Sequence, residues 1–266
     1  MPGSTVEKLP VEQPPIEPPP AERSEAAALD KSGRTIRDMF AGVAPRYDLL
    51  NHLLSGWLDS VWRRRAAREL TEADLRHVLD LCCGTGDQAT TLAHRGARVT
   101  AADFCLPMLT RAQEKFARKR LGRRDRDSHR PGLAAADALA LPFPERSFTA
   151  ATVSFGMRNV ADLDRALEQL ARSLAPGGQL VILEFAVPEP AWLRKPYLFY
   201  FRHVLPRIGK LLSPRGSAYG YLPDSVLEFP QRAGFARRME RAGLTGCRWR
   251  NLTGGIVCLY TGRTPA

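Results

Sequence analysis

The sequence predicts a doubly wound α/β fold on a mostly parallel sheet, and three observations carry that prediction. Apolar runs of strand length alternate with stretches of helical spacing from about residue 77 onward. The first run, His77-Val78-Leu79-Asp80-Leu81, breaks at Cys82-Cys83-Gly84-Thr85-Gly86-Asp87 into a helix-compatible stretch, Gln88 to Arg95. That is how a parallel strand feeds a helix. The second run, Ala97 to Ala102, ends on Asp103, where such folds set an acid against both hydroxyls of a ribose.

Composition narrows the function classes. The chain has 266 residues, room for one α/β domain with its own core. It holds no uncharged apolar run of about 18 residues, so no membrane span is expected. The N-terminus lacks the basic-then-apolar layout of a signal peptide, which points to the cytoplasm. The five cysteines show no metal-ligand spacing, and no metal site is expected. The net charge is +11, unevenly spread. Residues 1–30 carry −4, with six acids against Lys8 and Arg23, which leaves +15 on the remainder. Such a body favours anionic partners, nucleic acid or acidic lipid headgroups, and charge alone does not choose between them.

In chain order, residues 1–30 hold seven of the 21 prolines and almost no large apolar side chains, and read as a disordered tail before a domain over 31–266. Arg34 to Leu70 reads as helices laid down before the sheet. Gly84 and Gly86 can adopt backbone angles that a Cβ forbids and let the main chain approach a ligand. The turn lacks the third glycine of a dinucleotide fingerprint; it carries Asp80 and Asp87 instead. Carboxylates repel phosphate and suit hydroxyls and cations, so the turn reads as a seat for a positively charged nucleoside.

Leu106 to Arg120 is the next helix, and Lys119 to Arg130 is a polar loop that reads as solvated. Leu133-Ala134-Ala135 is a third strand, Phe148 to Ser154 a fourth and Gln179 to Val187 a fifth. Between the last two lies an amphipathic helix from Asp162, its cap, to Leu174, stopped by Pro176-Gly177-Gly178. The segment 191–212 interleaves aromatics with arginine and lysine. It fits a lid over a site, a helix at a membrane interface, or plain core. A helix runs to Arg241, and two strands around Asn251 to Val257 close the chain.

Asp80-Leu81-Cys82-Cys83-Gly84-Thr85-Gly86-Asp87, with Ala101-Ala102-Asp103-Phe104, resembles the S-adenosylmethionine site of class I methyltransferases. Five further stretches are similar to motifs of the ubiquinone/menaquinone biosynthesis C-methyltransferases. They are Y-D-x-x-N-x-x-x-S from Tyr47 with Trp62-Arg63, D-A-x-x-L-P-F from Asp137, and Ser154 to Val160 (S-F-G-M-R-N-V). The others are Y-x-Y-L-x-x-S from Tyr219 and N-L-T-x-G-I from Asn251. The resemblance runs from about Arg34 to Gly262, with one departure at Asp59, where the family more often has a basic residue or histidine.

The resemblance implies a seven-stranded Rossmann-like sheet with one antiparallel C-terminal strand, and S-adenosyl-L-methionine as cofactor. It implies C-methylation of a polyprenylated hydroquinone, with demethylmenaquinol preferred and the benzoquinol of ubiquinone synthesis left open. Cofactor contacts then fall on Gly84, Thr85, Gly86, Asp103, Asp137, Ala138 and Ser154. Arg158 stabilises charge on the ring oxygen, Asn159 orients it, and Tyr47 donates or relays a proton; Tyr221 and His203 stand in reserve. A prenylated substrate implies peripheral contact with an anionic membrane, through a lid or contact insert over 191–225. No nucleic-acid partner is expected, and a homodimer is left open. The competing readings are a methyltransferase for RNA or another small phenol, and a non-enzymatic nucleotide-binding adaptor. The basic body suits RNA, yet no recognisable RNA-binding module is appended.

Overall fold

The computed structural model describes residues 31–44, 47–118, 130–204, 207 and 218–266. The tail expected over 1–30 and nearly all of the polar loop expected over 119–130 lie outside the described residues. The strands are β1 (Val78–Leu81), β2 (Val99–Asp103), β3 (Gly132–Ala135), β4 (Phe148–Ser154), β5 (Leu174–Phe185), β6 (Thr245–Leu252) and β7 (Val257–Arg263). They form one sheet in the order β3-β2-β1-β4-β5-β7-β6. The pairs from β3 through β5 are parallel, while β7 runs antiparallel to both β5 and β6, so β7 alone opposes the rest. The order reverses between β1 and β4, which fixes the switch point where ligands bind in such sheets.

Nine helices of the described residues surround the sheet: α1 (Gly33–Val43), α2 (Tyr47–Ser55), α3 (Leu58–Ala67), α4 (Asp87–Ala93), α5 (Leu106–Arg118), α6 (Leu163–Ser173), α7 (Ala191–Phe199), α8 (Ala218–Glu228) and α9 (Ala233–Arg241). Period-two alternation sorts the strand residues between two faces. Leu79, Leu81, Ala151, Val153, Leu180 and Ile182 enter one core, packed beneath α6 and α9. Val78, Ala101, Ala150, Val181 and Leu183 enter the other, beneath α3, α4 and α5. Burial on both faces of β1, β2 and β4 explains why these strands read as continuous apolar runs rather than alternating ones. Each fully buried valine or leucine contributes about 1.5–3 kcal/mol. A third, smaller cluster (Ala44, Cys105, Met108, Tyr197, Phe201, Val226) joins α1, α7 and α8 above the carboxyl ends of the strands.

Several boundaries differ from the sequence reading by a residue or more, and three of them have a local cause. β5 begins at Leu174 rather than Gln179, because Leu174 pairs with Phe148 before an irregularity that accommodates Pro176-Gly177-Gly178. Asp162 caps α6 as expected, its side chain accepting from the Arg165 N–H at 3.0 Å, but α6 ends one residue earlier, at Ser173. The helix expected after Val226 does end at Arg241 but begins only at Ala233, as α9, and the stretch from Ala218 to Glu228 is a helix of its own, α8. The two part around Pro230, whose ring disfavours helical geometry in the residue before it.

Candidate active site

The ends of β1 and β4 are strained in the same way. Cys82 and Phe155, the residues just past each strand, sit at φ 54° and 63°, in the left-handed region that side chains rarely enter. Each costs of order 1 kcal/mol or more, a strain that persists at functional sites where the surroundings over-determine it. Gly156 fills the notch between them: a Cβ there would lie 2.4 Å from the Cys82 Cβ.

Beside this notch opens a cleft. Gly84, Asp103, Asp137, Ala138 and Ser154 line it, and α1 covers it with Ile36 and Phe40. Asp103 closes the turn onto β2: its carboxylate accepts from the Gly84 N–H at 2.8 Å and the Cys105 N–H at 2.9 Å. Burial pushes the Asp103 carboxyl up, and those backbone donors oppose it. The Asp137 carboxylate accepts from the Leu139 N–H at 2.9 Å, shaping the adjacent turn. Ser154 Oγ and Asn159 Oδ1 are buried on this cleft and have no hydrogen-bond partner among the described residues. Two orphaned polar atoms on a cleft edged by carboxylates fit a hydroxyl- and amine-bearing ligand.

Other residues of the turn face away from the cleft. The Thr85 hydroxyl donates to Asp48 and accepts from the Lys115 ammonium, and Lys115 pairs with Asp48 and with Asp87, each at 2.6 Å. Gly86, at φ 85°, packs against α5, where a Cβ would come within 2.5 Å of the Phe116 ring. Neither Thr85 nor Gly86 is among the cleft's lining residues, so the glycine serves helix packing there. Asp87 is spent on its cations: burial works to raise its pKa, but Arg63 and Lys115 bring it below the usual carboxylate range.

Asp80, read as a strand-end acid, is 1 % exposed inside the sheet and accepts from the Thr152 hydroxyl at 2.8 Å. Burial raises its pKa from 3.8 to about 7. A carboxyl whose folded pKa exceeds its unfolded one binds protons more tightly in the fold, so stability falls as pH climbs from about 4 to about 7. Asp80→Asn is expected to remove that slope. Thermal unfolding of the two proteins at pH 5 and pH 8 checks it: the variant should gain on the parent at the higher pH.

A second cavity adjoins the first, and Tyr47 and Phe155 line both. Tyr47, Asn51 and Ser55 recur every four residues on α2, which puts the polar members of that stretch on one face, toward this cavity. Trp62, Phe185, Tyr197 and Phe201 supply an aromatic lining from α3, β5 and the α7 segment. Burial raises the Tyr47 phenol pKa despite nearby Arg158 and Arg63, which keeps it a neutral donor.

Arg158 also lines this cavity, from a short 3₁₀ turn (Met157–Asn159) after β4. Its guanidinium donates to Glu184 Oε1 at 2.6 Å and to the Phe155 carbonyl at 2.5 Å, and lies 5.3 Å from the Phe185 ring centroid. Glu184 is fully buried in β5, so the guanidinium is its counter-charge. The Arg158 Nε has no partner among the described residues. Asn159, one residue on, lines the first cavity instead.

Sequence reasoning missed Glu184, although an acid inside Leu180-Val181-Ile182-Leu183-Glu184-Phe185 was the available signal. It also missed the setting of Asp59, which is buried in the second cavity with its carboxylate 2.8 Å from His52 Nδ1 and accepting from the Ser55 hydroxyl at 2.9 Å. His203 is exposed beside Phe199, and neither His203 nor Tyr221 is among the residues lining the two cavities.

Comparison with known proteins agrees with this architecture. A SAM-dependent methyltransferase from Thermotoga maritima superposes with a TM-score of 0.58 at 17% identity, covering 85% of this chain and 98% of its own. One from Aquifex aeolicus gives 0.54 at 16%, covering 76% and 88%. At such identities the likeness is one of fold. Sequence relatives are nearer. The demethylmenaquinone methyltransferase of Mycobacterium marinum is 42% identical over 239 residues, 90% of this chain and 97% of its own. That of Thermus thermophilus is 45% identical over 229 residues, 85% of this chain and all of its own. The model of the ubiE/COQ5 methyltransferase family matches residues 28–264. The chain therefore belongs to the ubiE/COQ5 methyltransferase family.

Proposed function

We propose that the chain transfers a methyl group from S-adenosylmethionine to a ring carbon of a polyprenylated hydroquinone, with demethylmenaquinol as the substrate. The observation that carries this is the pair of cavities sharing a wall of Tyr47 and Phe155, one edged by carboxylates, the other aromatic with a buried arginine. The 42–45% identical relatives named for demethylmenaquinone favour the naphthoquinol over the benzoquinol.

Bound S-adenosylmethionine supplies an electrophilic methyl on a good leaving group, so the protein's work is alignment and exclusion of water. Asp103 accepts from the ribose hydroxyls with the lone pairs its backbone donors leave free. Asp137 accepts from the exocyclic amine, beside Ala138, and Gly84 and Ser154 border the methionine end. An aromatic carbon becomes nucleophilic when its neighbouring hydroxyl ionises, and the ring hydrogen that the methyl replaces leaves to water as a proton. The Arg158 Nε–H is the unspent donor for that oxygen, with Glu184 fixing the guanidinium rather than the substrate. Tyr47, kept neutral, donates at the boundary of the two cavities, and Asn159 orients from the cofactor side. Of the described residues of the insert, Tyr197, Phe201 and Leu222 close the aromatic cavity as a lid. The enzyme works in the cytoplasm against the membrane that holds its substrate; no helix of the described residues is long and apolar enough to cross one.

The test is quinone profiling of a deletion strain together with assay of the purified protein on reduced demethylmenaquinone. Accumulation of the demethylated quinone in cells, and in vitro a product in which a methyl has replaced one ring hydrogen, are expected. An unchanged quinone pool, or methyl transfer to RNA alone, overturns the proposal.

A further inference from the structure

We infer that the hairpin of α2 and α3 docks the enzyme onto an anionic lipid bilayer, with Leu53 and Trp57 entering the interface and the arginines of α3 gripping the headgroups. This deepens the proposed function, because a prenylated substrate resides in such a bilayer.

The hairpin has two faces. On α2, Tyr47, Asn51, Leu54 and Ser55 turn toward the aromatic cavity. Leu49 and Leu53, four residues apart on the opposite side, are 63% and 48% exposed. On α3, Trp62, Arg63 and Ala66 are buried, while Val61 stays 50% exposed. The turn joining the helices holds Gly56 and Trp57 in succession at φ 58° and 62°. Tryptophan enters that region only at a cost, and here its indole is left 58% exposed. Five exposed apolar side chains on one helical hairpin, Leu49, Leu53, Trp57, Leu58 and Val61, mark an interaction surface rather than scattered surface apolarity.

Charge selects the partner. Behind the tip, Arg64, Arg65 and Arg68 are exposed, and none forms a salt bridge among the described residues. Arg64 and Arg68 line an open cleft with Arg95 and with Asp87, whose carboxylate is already paired with Lys115, so the arginines there outnumber the free acids. An apolar tip with tryptophan at its edge and arginines behind it matches the layering of acyl chains beneath anionic headgroups. Aliphatic Leu49, Leu53 and Val61 offer nothing to the phosphates or base edges of RNA. A second copy of the chain would bring like charges together. The tip also adjoins the cavity: Leu58 lines the aromatic cavity and is itself 39% exposed, so a prenyl tail leaving there meets the bilayer.

Flotation of the full chain, without substrate or cofactor, tests this on phosphatidylcholine vesicles with and without phosphatidylglycerol. The parent should float with the anionic vesicles and be released by salt. The double variant Leu53→Asp/Trp57→Asp should lose about tenfold or more in partitioning, while Trp57→Phe keeps most of it. Arg64→Ala, Arg65→Ala and Arg68→Ala should each cost about fivefold, on anionic vesicles only. Methylation of a tail-less naphthoquinol, which needs no vesicle, should be unchanged in these variants. A parent that floats yet methylates no quinol overturns the proposed function and leaves the docking face supported. The inference is overturned if the parent does not float, if the aspartate variant floats as the parent does, or if Trp192→Asp abolishes flotation in its place. It is equally overturned if Trp57→Asp splits a dimer without changing vesicle binding.

Discussion

Arg158→Ala is expected to lower turnover by about 100-fold or more, the scale seen when one preorganised donor to a developing oxyanion is removed. It should also destabilise the fold, because Glu184 is then left fully buried without its counter-charge. Breaking a buried pair from one side costs about 3–5 kcal/mol. Removing both charges separates the two effects. In Arg158→Met/Glu184→Gln no ion is stranded, so most of the thermal stability should return while turnover stays low. Thermal unfolding and single-turnover methyl transfer on the three proteins check this. Recovery of turnover along with stability would show that Arg158 serves the fold alone.

Asp103→Ala should weaken S-adenosylmethionine binding by about 100-fold, with little change in quinol affinity. The carboxylate holds the Gly84 N–H and the Cys105 N–H, so its loss frees the turn that shapes the cleft as well as the proposed ribose contact. Hydrogen bonds to a charged group contribute about 1.5–3 kcal/mol each, so losing one ligand contact and part of the turn's order reaches that scale. Calorimetric titration of cofactor into parent and variant measures it. Equal affinities would remove Asp103 from the cofactor site.

Much of this was legible in the chain because strand ends carry sharp local signals. The Gly84-Thr85-Gly86 turn, Asp103 at the end of β2 and Ser154 at the end of β4 each sit where an apolar run stops, and the parallel order brings those stops together. Bounds were poorest where local chemistry misleads. Pro176-Gly177-Gly178 looks like a break between helix and strand, but a strand beside an irregular pairing tolerates a residue without an N–H. Long-range electrostatics stayed hidden. Lys115 reaches back to Asp48 and Asp87, and Arg158 reaches forward to Glu184, pairings that depend on how α5 and β5 are placed. Composition could not reveal that Asp87 and Thr85 would be claimed by a lysine and so turned from the cleft.

The wall between the two cavities is formed by Tyr47 and Phe155, side chains that belong to both. Inhibitor chemistry can exploit so thin a partition. A single molecule joining an adenosine-like head to a naphthol through a short tether would occupy both chambers at once. Its nucleoside half would resemble what many unrelated enzymes accept. Selectivity would therefore have to come from the naphthol half, in the chamber built from Trp62, Phe185, Tyr197 and Phe201.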